Sequence, residues 1–140
     1  MALLMLAMIG PPALADHGKV HRHVTKRIES MQEQAVAMET LGAMTSGQTP
    51  YDRRRARQMK SILARESRRT DNLFRSDRDD PHSHARRDIW SNWDGFKHMT
   101  KTAQRAVRGL ETRSREQLMR TLPAVLGQCH SCHARFRKPD

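Results

Sequence analysis

The sequence predicts an all-α protein, an antiparallel four-helix bundle, on three observations. Apolar residues recur at steps of three and four through four long segments, the spacing of one buried helical face. Capping and breaking residues (Gly47, Pro50, Asn92, Ser114) fall between those segments, and no strand pattern is present. Two short connections and one longer one then make antiparallel neighbours the economical arrangement.

Residues 1–15 read as a secretory signal peptide. Ala2 to Ile9 is a short apolar run, and Ala13-Leu14-Ala15 supplies an A-x-A cleavage site before Asp16. The run is too short to span a bilayer. No Lys or Arg precedes it, so the true start is expected further upstream.

Residues 16–140 form one domain. The first helix is expected over about 19–44, where Val20, Val24, Ile28, Met31, Ala35, Met38 and Leu41 make one apolar stripe. Gly47 and Pro50 end it. Thr49-Pro50-Tyr51-Asp52 resembles a helix start, with Thr as N-cap, Pro at the first position and an acid at the third. The second helix runs to about residue 69, with Ala56, Met59, Ile62 and Leu63 inward and an Arg-rich outer face. Residues 70–88, polar and interrupted by Pro81, are the long connection. Ser91-Asn92-Trp93-Asp94 caps the third helix, which carries Phe96, Met99, Ala103, Val107 and Leu110 to about residue 111. Ser114 with Gln117 opens the fourth, which continues through Leu118, Leu122, Leu126, Cys129, Cys132 and Phe136. Pro123 removes one backbone hydrogen bond from it, so a kink or a restart is expected there.

The 140 residues hold 26 Lys and Arg against 15 Asp and Glu, a net charge of +11, and the signal segment carries none of it. Such a surface attracts acidic partners or anionic surfaces with a strong ionic-strength dependence. The plainer reading is solubility with an Arg-biased composition. Nucleic acid is the default partner of a basic chain, but an exported protein seldom meets it and none is expected. No membrane span remains after signal removal. Aromatic residues are scarce (Tyr51, Phe74, Trp90, Trp93, Phe96 and Phe136), so a buried prosthetic group would supply much of the missing apolar volume.

Chemistry concentrates in Cys129-His130-Ser131-Cys132-His133, which contains both cysteines of the chain and fits the C-x-x-C-H pattern of covalent c-type haem attachment. Two thiols three positions apart lie on one side of a helical turn and reach the vinyl groups of one porphyrin. The following histidine is held beneath the iron as an axial ligand. One haem c per chain is therefore expected, and export agrees with it. Three rivals share the spacing. A structural zinc site wants four ligands, and His82 with His84 falls outside the usual ligand spacing. A redox dithiol should sit near a βαβ pattern at a helix N-terminus. A plain disulfide is the third.

Three blocks together resemble a known family: GQTPYD at Gly47 to Asp52, IWSNWDGF at Ile89 to Phe96, and CHSCHARFRK at Cys129 to Lys138. The chain is similar over nearly all of residues 16–140 to cytochrome c-prime, the class II c-type cytochromes, and most of all to its low-spin subgroup. That family is itself a four-helix bundle with haem near its C-terminus, so this is not an independent witness to the fold. The resemblance implies that Cys129 and Cys132 are the thioether cysteines and His133 the proximal ligand. It also implies that Arg137 stands beside that ligand and Arg27 near the haem propionates. Met31, one turn after Arg27, occupies the distal position, which in gas-binding members is filled by a residue that does not ligate.

Met31 also lies on the apolar stripe, where methionine commonly fills core gaps. A thioether is nevertheless a good sixth ligand and raises the reduction potential. The expectation is a periplasmic electron carrier with His/Met-ligated iron and no substrate chemistry of its own. The alternative is a five-coordinate protein binding nitric oxide. Redox partner proteins with acidic surfaces are the expected partners. A homodimer through the first two helices, common in the family, is opposed by the Arg-rich second helix. His17, His21 and His23 read as a solvated helix start, His82 and His84 as exposed loop residues.

Overall fold

The computed structural model describes residues 20–139; the expected signal peptide and His17 lie outside them. The described chain forms α1 (Arg22–Ser46), α2 (Arg53–Leu73), a single turn α3 (Asp88–Ser91), α4 (Trp93–Gly109) and α5 (Arg115–Phe136). No strand forms among the described residues; one antiparallel bridge joins Ala85 to Arg137. None of these helices is long and apolar enough to cross a membrane.

Packing follows the order α1–α2–α4–α5 around a square, with α1 also against α5. Cross-helix bonds give the directions. Ser30 meets Glu66 while Arg27 meets Leu73, so α1 and α2 run oppositely. Lys60 meets Leu110 while Asp71 meets Thr100, so α2 and α4 do too. Arg115, at the start of α5, donates to the carbonyls of Met44 and Thr45 at the end of α1. The antiparallel four-helix bundle expected from periodicity is the observed fold, with α3 a one-turn addition.

The helix ends explain themselves locally. Gly47 closes α1 at φ 82°, a left-handed conformation that glycine adopts without penalty. Thr49 is not the cap of α2. Its N–H still closes the end of α1 on the Ala43 carbonyl (3.2 Å), and Asp52 caps α2 by accepting from the Arg55 N–H (2.9 Å). Ser114 caps α5 as expected, and that helix continues through Pro123 without a restart. Asn92 caps α4 through the Gly95 N–H (3.2 Å). Asn92→Ala is expected to cost about 1 kcal/mol of stability; a denaturant midpoint unchanged from wild type would contradict that role.

Two stripes differ from expectation. In α1 the buried line is Val24, Arg27, Ser30, Ala37, Leu41 and Met44, while Ala35 is exposed and Ile28, Met31 and Met38 are half-buried. The helix is rolled because Arg27 and Ser30 find hydrogen-bond partners inside the protein. In α5 the buried seam steps through Leu118, Leu122, Val125, Cys129, Cys132 and Phe136, so Leu126 falls outside it and is 43% exposed. That seam repeats every three and four residues, as helices crossing at a shallow angle require.

The core has two parts. One, built on Leu41, Leu63, Leu110 and Leu118, fills the rest of the bundle as far as Cys129. The other gathers Phe74, Ile89, Phe96 and Phe136 at the C-terminal end of α5. The polar connection is laced to both ends of the described residues. Buried Asp80 accepts from the His21 N–H (2.8 Å), Arg86 N–H donates to the Phe136 carbonyl (2.9 Å), and Lys138 N–H donates to the His84 carbonyl (2.7 Å).

Candidate functional site

Cys129 and Cys132 lie in the last two turns of α5, half-buried and not joined in a disulfide. Cys129 packs against the leucine-rich cluster and Cys132 against the aromatic one, so the pair straddles their boundary. Burial pushes both thiols up, Cys132 to about 11 with the neighbouring Cys129 adding to it. Neutral thiols at pH 7 do not suit a redox dithiol, which needs a depressed thiol pKa. Among the described residues no group of three or more His, Cys, Asp or Glu is placed to hold a metal ion.

His133 follows on the same helix, at the surface. Desolvation first, then the charges of Arg137 and His130, hold its imidazole below the ordinary value. A neutral imidazole keeps a lone pair free for an iron. Arg137 stands one turn beyond; its N–H donates to the His133 carbonyl (2.9 Å), and its bridge to Ala85 ties this end of α5 to the long connection.

The aromatic cluster forms a wall beside Cys132. Phe96 lies at its centre, 5.4 Å from both Phe74 and Trp93 and edge-on to Phe136 at 5.3 Å. Trp90 donates its indole N–H to the Phe74 carbonyl (2.8 Å), and an open cleft of about 380 Å³ lies between Trp90, Trp93 and Arg75. Five of the six aromatic residues thus collect at one end. Tyr51, at the other, donates to the Thr112 carbonyl (2.8 Å).

Met31 reaches this wall from α1. It is half-buried and packs against the cluster that includes Cys132, with its sulfur 3.8 Å from Gln34 Nε2. Arg27, one turn earlier, is 3% exposed. Its guanidinium donates to the carbonyls of Leu73 (3.0 Å), Ser76 and Arg78 (3.4 Å), and lies over the Phe74 and Trp90 rings at 5.0 and 5.2 Å. The sequence marks Arg27 but not these partners, which are backbone atoms at the end of α2 and in the loop after it. It also leaves Ser30 and Glu66 unremarked and gives Phe74 no role beyond its place among the scarce aromatic residues, although a lone aromatic in a polar stretch was an available signal.

Taken together, two neutral thiols on one helical face, a neutral histidine beside them and a half-buried thioether against an aromatic wall suit an apolar, planar, iron-bearing group. They are the donor types that haem c takes.

The sequence model of the family described as Cytochrome C' matches residues 22–137. Among solved structures, cytochrome c' from Rhodobacter sphaeroides is similar at 27% identity and a TM-score of 0.78, covering 88% of this chain and 100% of that one. Cytochrome c' from Rubrivivax gelatinosus is similar at 23% identity and a TM-score of 0.75, covering 83% and 94%. A nitric oxide complex of a cytochrome c prime variant from Alcaligenes xylosoxidans is similar at 22% identity and a TM-score of 0.75, covering 84% and 94%. No curated protein matches the chain.

Proposed function

The chain belongs to the cytochrome c-prime family, a family whose cofactor is covalently attached haem c, and from that membership we propose that it is a periplasmic electron carrier whose iron is closed by Met31. Bound haem supplies a one-electron change between ferric and ferrous iron. The chain supplies attachment, orientation and electrostatics. Cys129 and Cys132 form the two thioethers, and His133 gives the proximal nitrogen. Arg137 places positive charge beside His133, and buried Arg27 places it behind Phe74 and Trp90. Positive charge near an iron centre favours its reduced form. The aromatic wall keeps water from the apolar face.

One observation carries the choice of electron transfer. Met31, on the helix that faces α5, packs into the same cluster as Cys132. A thioether in that cluster is in the right company to take the sixth position and raise the potential. The net charge of +11 favours redox partners with acidic surfaces, approached fastest at low ionic strength.

A second reading has its own support, since structures similar to this chain include a nitric oxide complex. A gas-binding role requires Met31 off the iron. Absorbance spectra of the purified protein, oxidised and reduced, separate the two. Low-spin spectra in both states are expected; a high-spin ferrous spectrum with immediate carbon monoxide binding would favour the gas-binding role instead.

Attachment has its own test. The intact mass of the exported protein should equal the chain from Asp16 onward plus one haem. Cys129→Ser with Cys132→Ser should lose the haem to acidified organic solvent, while each single variant retains it through one thioether. Haem retained by the double variant after that extraction would contradict the assignment.

A further inference from the structure

Glu66, on α2, is a buried carboxylate that the electron-carrier reading does not use; it is only 1% exposed. Each of its oxygens is satisfied. It accepts from Ser30 Oγ on α1 (2.8 Å), from Arg65 Nε (2.6 Å) and, through both oxygens, from Arg69 Nη1 (3.1 Å). Burial alone would push its carboxyl up, but these donors outweigh that and hold it below the ordinary range, so it is ionised. An apolar residue of similar size would bring no desolvation cost to this interface, so stability is a weak reason for a charge there.

Its partner suggests a better one. Ser30 immediately precedes Met31, and neighbouring helical residues point about 100° apart. Anchoring the Ser30 hydroxyl on a fixed group of α2 therefore sets the roll of α1, and with it the direction of the Met31 side chain. The anchor is reinforced on both sides. Arg65 also pairs with Glu33 of α1, and Arg27, one turn before, is held by the carbonyl of Leu73 at the end of α2 and by those of Ser76 and Arg78 in the loop. Gln34, one turn after Ser30, donates to the Ser30 carbonyl (3.4 Å) and approaches the Met31 sulfur (3.8 Å).

We propose that Glu66 is a positioning residue for the distal methionine: through Ser30 it fixes the roll of α1 and keeps the Met31 thioether turned toward the Cys129–Cys132 face. This rests on Met31 acting as sixth ligand. The latch sets how often Met31 swings away, and so how fast a small gas reaches the iron.

The haem-loaded protein tests it, as wild type, Ser30→Ala, Glu66→Gln, the double variant and Met31→Ala. Readouts are the ferrous high-spin fraction, the carbon monoxide association rate and the melting temperature. Wild type should be low-spin. Ser30→Ala and Glu66→Gln should each raise the carbon monoxide rate about tenfold toward that of Met31→Ala, and the double variant should go little further, because both act on the same hydrogen bond, the first by removing its donor and the second by removing the charge of its acceptor. Ser30→Thr, which keeps the hydroxyl, should restore the slow rate. Ser30→Ala leaves Glu66 with both arginines, so it carries the test even if Glu66→Gln folds poorly. A low-spin wild type whose Ser30 and Glu66 variants melt lower but keep its spin state and carbon monoxide rate would overturn the latch alone. A wild type already high-spin would overturn both the latch and the ligation on which it rests.

Discussion

Replacing Met31 by alanine should open the iron. The ferrous protein should change from low-spin to high-spin, its reduction potential should fall with loss of the thioether, and carbon monoxide should bind at once. The size follows from the population that is open. If Met31 closes at least nine-tenths of the molecules, binding is slowed by the reciprocal of the open fraction, so the variant should associate at least about tenfold faster. Stability should change less. Met31 is half-buried, at the edge of the aromatic cluster, so truncation should cost about 1–2 kcal/mol, below the range for a fully buried methionine. Stopped-flow mixing with carbon monoxide and a thermal melt measure both. An unchanged spectrum would return Met31 to the role of core filler.

Arg27→Ala should be the most destabilising single change. It removes a side chain 3% exposed and leaves the carbonyls of Leu73, Ser76 and Arg78 without that donor. It also removes the cation from over the Phe74 and Trp90 rings. Losing a buried, charged donor to several acceptors, together with its packing, should cost about 3–5 kcal/mol. For a chain of this size that is a fall in melting temperature on the order of 10 °C. Arg27→Lys should recover only part, because an ammonium cannot span three carbonyls as a planar fork does. A loss within about 1 kcal/mol in far-ultraviolet circular dichroism melts would show that the loop holds its place without this residue. If the residue acts chiefly through the loop, the Trp90 fluorescence environment should change in step with stability.

Most of the bundle was written locally. Helix periodicity, the Asn92 and Ser114 caps and the end of α1 at Gly47 each depend on residues within one or two turns, and each was readable. The C-x-x-C-H pattern is contiguous too, because attachment of two vinyl groups demands a fixed spacing on one helical face. Several of the departures had one cause. A polar residue is assigned outward by pattern, yet Arg27, Ser30, Glu66, Thr70 and Gln104 are all buried. Each is buried because a partner arrives from elsewhere: Gln104 donates to the Ser67 carbonyl 37 positions away, and Ser30 to Glu66 36 positions away. Thr49 failed differently. Two overlapping signals, the end of α1 and the start of α2, competed for four residues, and the closing bond to Ala43 took Thr49.

By itself, then, the sequence determined the all-α class, the four long helices and the five-residue haem motif, because helix periodicity, capping and thioether spacing are short-range properties of a chain. Only the tertiary structure decided how α1 is rolled. That roll follows from hydrogen bonds Arg27 makes 46 to 51 positions away and Ser30 makes 36 positions away. Which side chains of α1 pack against the aromatic cluster beside Cys132 is a consequence of those distant partners.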